Sequence, residues 1–164
     1  VHLFGQCANM EEIMKIAKAK LSDSKHLTAL TIRSKAHWNY DEKQILEWIP
    51  NLTITEKYFE ESEIFKLSHN NQLIGFYAYR IENKTDLKLD FLFVEPDCIG
   101  KGYGELLLSD LIRRSQVKKI NRVLVESDPN SEGFYFNYGF RVIGKFESSI
   151  KDRFLPIMEL HLKS

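Results

Sequence analysis

The sequence lacks most features that would place it outside the ordinary globular proteins. Of its 164 residues only Cys7 and Cys98 are cysteines, which are too few for a disulfide framework and lack the spacing of a metal site. No apolar run approaches the roughly 20 residues of a membrane span, and no signal-peptide pattern is present. We therefore expect a reduced, cytoplasmic protein with no metal and no membrane partner.

An excess of charge of either sign is also missing. The chain carries 23 basic and 23 acidic side chains, so its formal net charge is zero. Nucleic-acid binders usually show a basic excess, and this balance therefore argues against a nucleic-acid partner. Apolar residues at 43% and charged residues at 28% are close to the averages of globular proteins. A chain of this length favours one domain with a true core.

The segment 1–13 does not share the pattern of the rest. Met10 and Met14 are both candidate native start residues, and the sequence alternates like a strand from Met14 onward. We expect 1–13 to be either foreign to the native protein or a loosely attached extension. Residues 14–164 are expected to form a single domain.

The hydrophobic period changes repeatedly between helical and strand spacing. The predicted strands are Lys15–Lys20, Glu63–Ser68, Gln72–Ile81, Leu87–Val94, Arg122–Glu126, Phe140–Phe146 and Ile157–Leu162. The predicted helices run from Ser22 or Asp23 to Trp38, from Asp41 to before Pro50, from Thr55 to Glu61, from Gly104 to Val117 and from Pro129 to Tyr138. This order indicates a mixed α/β domain. Leu87–Val94 should be central because its end is apolar on both faces, and Leu87, Leu89, Phe91 and Phe93 should share one face.

The sharpest local feature is a glycine-rich turn between a strand and a helix, Gly100-Lys101-Gly102-Tyr103-Gly104. Glycine has no Cβ, so backbone N–H groups can approach an anion, and the helix adds unpaired donors and a positive dipole end. The pattern predicts a pyrophosphate site, although a structural turn explains it equally well. A P-loop would need Ser or Thr after Gly-Lys, and a dinucleotide fold would need a different glycine spacing.

The run Leu92–Gly104 resembles a signature of the GNAT acetyltransferase superfamily. In that family an apolar strand end is followed by Gln/Arg-x-x-Gly-x-Gly/Ala and a helix. Gly102 and Gly104 match the two small positions, whereas Ile99 stands at the usual Gln/Arg position. The resemblance implies that backbone N–H groups of Ile99–Gly104 supply most of the phosphate cradle for acetyl-coenzyme A, because one side-chain contact is missing.

A second element, about thirty residues further on, strengthens the resemblance. Asp128–Phe140 looks like the family pattern Asn-x-x-Ala-x-x-Phe/Leu-Tyr-x-x-x-Gly-Phe, with Asp128 at the Asn position and Tyr135 at the Tyr position. The resemblance covers roughly Lys15 to Leu162. It implies a mixed fold with a mostly antiparallel central sheet of six to seven strands flanked by helices, and a homodimer is a common arrangement in the family.

The resemblance also implies the cofactor contacts and the general acid. The cofactor-binding candidates are Leu92, Phe93, Val94, Ile99, Gly100, Lys101, Gly102, Tyr103, Gly104, Asp128, Asn130 and Tyr135. The backbone of Leu92–Val94 would pair with the pantetheine amides like an added strand. Amine attack on a thioester expels a thiolate, and a phenol beside the sulfur can protonate it. By resemblance, Tyr135 is that acid.

The base and the acceptor site are less defined. A lysine-like amine has a pKa of about 10.4 and must lose a proton before it attacks. Asp90 and Glu95 are the candidate bases, acting directly or through water, although ordinary edge or loop acids are the simpler explanation of both. The acceptor candidates combine aromatic and titratable groups near a helix end with two arginines able to hold a carboxylate: His37, Trp38, Tyr40, Arg80 and Arg153.

We therefore predict an acetyl-CoA-dependent N-acetyltransferase that moves an acetyl group to a primary amine through a ternary complex. The acceptor is expected to be a small molecule or a peptide. Two alternatives stay open. One is a catalytically silent acyl-CoA-binding sensor, which the apolar Ile99 favours. The other is a protein acetyltransferase that acts on lysines or N-termini.

Overall fold

A computed structural model describes residues 13–148, 150 and 152–163 of the chain. The predicted N-terminal extension therefore lies outside the described residues, apart from Ile13. Within the described ranges, no helix combines the length and apolar character that crossing a membrane would need.

The described residues form one seven-stranded sheet flanked by helices. The strands are β1 Met14–Lys18, β2 Glu63–His69, β3 Gln72–Ile81, β4 Asp86–Val94, β5 Arg122–Glu126, β6 Arg141–Glu147 and β7 Phe154–His161. The α-helices are α1 Ser24–Ala36, α2 Glu42–Leu52, α3 Glu56–Glu61, α4 Tyr103–Val117 and α5 Glu132–Tyr138. The strand order is β1-β2-β3-β4-β5-β7-β6, with β4 and β5 parallel and the other pairs antiparallel. This confirms the predicted mixed fold and the central position of β4.

Two of the predicted helix starts are confirmed by their caps, and one predicted end is wrong. Asp41 accepts a hydrogen bond from the backbone of α2, and Thr55 does the same for α3. We expected α2 to end before Pro50, but it continues to Leu52. Proline removes the hydrogen bond to the residue four positions earlier. The carbonyl that loses its donor belongs to Leu46, which is exposed, so a water molecule can donate to it instead.

Helices cover both faces of the sheet. The core on one face is built around α4 and α5, with Leu107, Leu111 and Tyr135 among its buried side chains. The core on the other face lies under α1 and includes Leu27 and Leu30. Burial of these apolar stripes, rather than intrinsic helix propensity, holds the helices on the sheet.

A β-bulge at Asp90 interrupts β4. Leu89 pairs with Tyr79 and Phe91 pairs with Ala78, so Asp90 is an extra residue on its strand. An extra residue reverses the alternation of side chains beyond it.

The bulge changes which side chains share a face. Leu87 and Leu89 belong to the core under α4, whereas Phe91 and Phe93 belong to the core under α1. The expectation that all four share one face was wrong, because it assumed an uninterrupted strand.

The bulge also marks the point where β4 and β5 part. Their parallel pairing ends at Leu89 and Val125. Beyond it, β4 continues to pair with β3 as far as Val94. Among the described residues, no strand pairs with the β5-facing side of Leu92–Val94. The sheet therefore contains an open backbone edge near its centre.

Candidate active site

The open edge of β4 forms one wall of a cavity of about 400 Å³ that reaches the glycine-rich turn. From β4 and the turn, the cavity is lined by Leu92, Phe93, Val94, Cys98, Ile99, Gly100, Gly102, Gly104 and Glu105. From α1 and the residues just after it, the cavity is lined by Ser34, Lys35 and Trp38, and from α5 and the segment before it by Asp128, Asn130, Ser131 and Phe134. The two elements predicted to bind one cofactor therefore face each other across a single space.

The glycine-rich turn has the geometry of an anion cradle. Gly100 and Gly102 have φ angles of +84° and +87°, which favour glycine over every other residue. A Cβ on either would meet no protein atom within 4 Å. α4 begins at Tyr103, directly after Gly102, so its unpaired N–H groups lie beside the cavity. These features fit a pyrophosphate group.

The predicted cofactor residues divide into three groups. Nine of them line the 400 Å³ cavity, and Ile99 is among them. Tyr135 lines an adjoining cavity of about 180 Å³. Lys101 and Tyr103 belong to the turn but line neither cavity, so their contact with a cofactor stays a prediction.

The adjoining 180 Å³ cavity contains Tyr135. The walls of the two cavities share Lys35, Leu92, Phe93, Asp128 and Ser131, so the cavities adjoin. The Tyr135 side chain is buried, at 5% exposure, with edge contacts to the rings of Phe134 and Phe140.

Burial raises the pKa of Tyr135 above its usual value. Its phenol therefore keeps its proton at neutral pH, as a proton donor must.

A third cavity, of about 510 Å³, adjoins the second one beyond the Asp90 bulge. It shares Asn51, Leu89, Asp90, Phe91 and Glu126 with the 180 Å³ cavity and adds Tyr58, Arg80 and Lys88 from the far side. The three cavities therefore adjoin in a row, called the path below, which leads from the glycine-rich turn, through the cavity that Tyr135 lines, to a pocket with charged groups of both signs.

Asp90 lies in that charged pocket, but its carboxylate is occupied. Arg80 donates to it through Nε at 2.7 Å and Nη2 at 3.1 Å, and Tyr58 donates its hydroxyl at 2.7 Å. Burial, followed by the charge of Asp90, raises the pKa of Tyr58. Arg80 was predicted to bind the acceptor substrate. In the structure it forms this bidentate ion pair with Asp90, so the two candidates lie together.

Glu95 is placed away from both Asp90 and Tyr135. It forms an ion pair with Arg33 of α1, and it lines a separate groove that also includes His26 and Lys66. The structure therefore does not bring this candidate base into the cavities that contain Tyr135 and Asp90.

Asp128 is the centre of a charged cluster beside the first two cavities. Its Oδ2 accepts hydrogen bonds from Lys35 at 2.5 Å, Tyr40 at 2.8 Å and Arg153 at 3.2 Å. Its Oδ1 accepts from the backbone N–H of Asn130. Burial alone would raise the pKa of Asp128, but the charge and hydrogen bond of Lys35, with the other donors, bring it below its usual value.

The other acceptor candidates are spread over several places. Tyr40 and Arg153 meet in the Asp128 cluster, where Arg153 also donates to the Tyr40 hydroxyl at 2.6 Å. Trp38 lines the 400 Å³ cavity. The His37 ring makes an edge contact with the Trp38 ring, with 5.1 Å between the ring centroids. Arg80 lies on the far side of the bulge. The five candidates therefore do not form one site.

Sequence reasoning missed Lys35 and Glu126 as site residues. Lys35 lies two residues before His37, next to the acceptor candidates, but nothing in the sequence distinguishes it. Glu126 is the last residue of a strand, a position without a motif. Only the meeting of β4, β5 and α1 places both side chains beside the cavities.

Replacing Asp128 by Asn is expected to lower the free energy of unfolding at pH 7 by about 2–4 kcal/mol, because it leaves two cations beside an uncharged group. The pKa of Asp128 is lowered in the folded state, so its stabilisation is present above the unfolded pKa of about 3.9 and is lost as pH falls through the folded value. Urea unfolding from pH 7 to pH 3 should show the difference from wild type shrinking below pH 4.

The control for this experiment is Asp97→Asn, because Asp97 is an exposed carboxylate. That variant should differ from wild type by less than about 0.5 kcal/mol. A difference between Asp128→Asn and wild type that stays constant over the whole pH range would contradict the assignment of the effect to the ionised carboxylate.

Comparison with known protein families identifies the class of this domain. Residues 38–159 match the family model described as "Acetyltransferase (GNAT) domain". The match spans well over half of the chain, and the chain belongs to the GNAT acetyltransferase family. Acetyltransferases of this family use acetyl-CoA as the acyl donor, which fits the anion cradle and the open edge of β4.

Two curated relatives carry N-acetyltransferase names but are uncharacterised. The protein ycf52 of Gracilaria tenuistipitata var. liui is 24% identical over 89 residues, which cover 54% of this chain and 49% of the algal protein. The match thus spans about half the length of that relative. YafP of Escherichia coli strain K12 is 28% identical over 137 residues, covering 79% of this chain and 83% of YafP.

Solved structures show the same fold. The PaiA N-acetyltransferase of Thermoplasma acidophilum, solved in complex with coenzyme A, superposes with a TM-score of 0.76 at 22% identity, covering 92% of this chain and 99% of that one. The ribosomal-protein-S18-alanine N-acetyltransferase of Escherichia coli gives a TM-score of 0.70 at 19% identity, covering 93% and 96%. At these identities the likeness confirms the fold.

Proposed function

We propose that the chain transfers an acetyl group from acetyl-CoA to the nitrogen of a primary amine, with both substrates bound at once. The observation that carries this proposal is the row of adjoining cavities from the glycine-rich turn, through the one that Tyr135 lines, to the charged pocket beyond the Asp90 bulge. Two substrates can enter such a path from opposite ends. No covalent enzyme intermediate is needed, because the acetyl group can pass directly between them.

The residues of the first cavity are proposed to hold the donor. Backbone N–H groups of the glycine-rich turn and of the first turn of α4 bind its phosphates. The open edge of Leu92–Val94 pairs with its pantetheine amides as an added strand would. When bound, acetyl-CoA supplies the acetyl thioester on which the amine acts.

Tyr135 is proposed to act as the general acid. It lies in the narrow cavity between the donor site and the charged pocket. Its burial keeps the phenol protonated, so its Oη can give a proton to the leaving thiolate. Backbone N–H groups at the end of β4 are suited to polarise the thioester carbonyl.

The charge of the far pocket favours a small amine over a basic peptide. Its two carboxylates, Asp90 and Glu126, are matched by Arg80 and Lys88, so the pocket has no acidic excess to attract a positively charged chain. This charge balance ranks a protein acetyltransferase second. Its support is the resemblance in fold to the S18-alanine enzyme.

A coenzyme A release assay tests the proposal. Spermidine, L-lysine, benzylamine and a hexapeptide with a free N-terminus are supplied as acceptors, and calorimetry measures acetyl-CoA affinity separately. We expect micromolar acetyl-CoA binding and turnover with at least one small amine. Binding without turnover for every amine would favour the silent sensor instead, and absence of acetyl-CoA binding would overturn both.

A further inference from the structure

We propose that Glu126 binds the acceptor amine and accepts its proton. This inference rests on the proposed function and adds the residue that prepares the amine for attack. It assigns a role that Asp90 and Glu95 were expected to have.

Glu126 lies at the junction of the donor and acceptor spaces. It is the last residue of β5, directly after Val125, where the pairing with β4 ends. Its side chain lines both the narrow cavity that contains Tyr135 and the wider pocket beyond the bulge. Glu126 is therefore placed to contact an amine that moves from the pocket toward Tyr135.

Of the carboxylates that line the 180 Å³ and 510 Å³ cavities, Glu126 is the least occupied. Asp90 accepts three hydrogen bonds from Arg80 and Tyr58, and both oxygens of Asp128 are held. In the described part of the chain, the Glu126 side chain accepts one hydrogen bond, from Lys88 Nζ to its Oε1 at 3.2 Å. The Glu126 side chain is 37% exposed, so water can carry away a proton.

The groups around Glu126 come from several elements. The titratable and charged side chains that line the two cavities with it are Lys35, Tyr58, Arg80, Lys88, Asp90, Asp128 and Tyr135. Lys88 contacts Glu126 directly, with its Nζ 3.2 Å from Oε1. An arriving ammonium group can displace this single contact, because a surface ion pair of this kind is worth at most about 1 kcal/mol.

The proton balance gives Glu126 and Tyr135 separate tasks. An alkylammonium loses two protons when it becomes an amide. The first goes to a Glu126 carboxylate oxygen and then to solvent, which frees the nitrogen lone pair. The C–N bond forms and the C–S bond breaks. The second nitrogen proton replaces the one that Tyr135 gives to the sulfur, so one proton is released overall.

The kinetic test compares Glu126→Gln with wild type, using the amine of the four that wild type acetylates fastest. We expect kcat/KM at pH 7 to fall by about 100-fold, as general-base loss typically does. The deficit should shrink as pH approaches the pKa of the amine, because the amine then arrives neutral. Glu126→Asp should recover part of the activity, and acetyl-CoA affinity should not change.

The matched control is Glu60→Gln, which makes the same chemical change at an exposed position of α3. It should leave the pH profile unchanged. Equal activity of Glu126→Gln and wild type across the pH range would overturn the proposal.

A binding experiment decides the question without turnover. Each of the four amines is titrated into the coenzyme A complex of wild type and of Glu126→Gln at pH 7, and the amine Kd is measured. We expect about tenfold weaker amine binding in the variant for amines that bind. Equal affinities, or no amine binding by wild type, would overturn the role of Glu126. Absence of turnover with intact amine binding would count against the proposed acetyl transfer alone.

Discussion

Tyr135→Phe is expected to lower kcat by about 10²- to 10⁴-fold while leaving acetyl-CoA affinity within about twofold of wild type, because loss of a general acid acts on the chemical step. The phenol of Tyr135 is buried beside the narrow cavity, and burial raises its pKa. The substitution removes one oxygen and preserves the ring contacts with Phe134 and Phe140. Steady-state kinetics and calorimetry separate the two effects.

Tyr138→Phe provides the matched control for this experiment. Tyr138 is on the same helix, and its hydroxyl lies 3.0 Å from the Ser109 hydroxyl, away from the cavities. Its loss should cost at most about 1 kcal/mol of stability and leave kcat near that of wild type. Full activity of Tyr135→Phe would remove Tyr135 from the mechanism.

Gly102→Val is expected to weaken acetyl-CoA binding by at least about 100-fold, a loss of about 3 kcal/mol. The φ angle of Gly102 is +87°, where a β-branched residue is strained. No protein atom lies within 4 Å of an added Cβ. The new side chain therefore takes up space that the phosphates are proposed to occupy beside α4.

Backbone strain alone has to be separated from the loss of the cradle. Gly139→Ala supplies this control, because Gly139 ends α5 with a φ angle of +126° and does not line the 400 Å³ cavity. We expect it to lower the melting temperature and to keep acetyl-CoA affinity. Gly102→Val that is folded by circular dichroism and still binds acetyl-CoA normally would show that the cradle lies elsewhere.

The order of helices and strands was readable from the sequence because it depends on local patterns. The spacing of apolar residues, the capping residues Asp41 and Thr55, and the glycines of the turn are all local signals, and the structure confirms the elements that they predict. The two cofactor elements were recognisable for the same reason. Each is a short run with a characteristic spacing, and both lie within the residues 38–159 that match the family model.

The candidate base is the clearest example of what local patterns miss. Glu95 is only one residue after Val94 in sequence, but it turns toward Arg33 and away from the cavities. Asp90 reaches the charged pocket, where Arg80 and Tyr58 occupy it. The sequence does not indicate Glu126 as a base, because the residues around it in space are distant in sequence.

The sequence by itself determined the class of the fold, the glycine-rich turn before a helix and the position of Tyr135 on the next helix, since each follows from residues close together in the chain. Only the tertiary structure decided the bulge at Asp90, the parting of β4 from β5 and the placement of Glu126 in the cavity that Tyr135 also lines. These features depend on the register between strands that are far apart in sequence, and that register is set by hydrogen bonds and packing across the whole sheet.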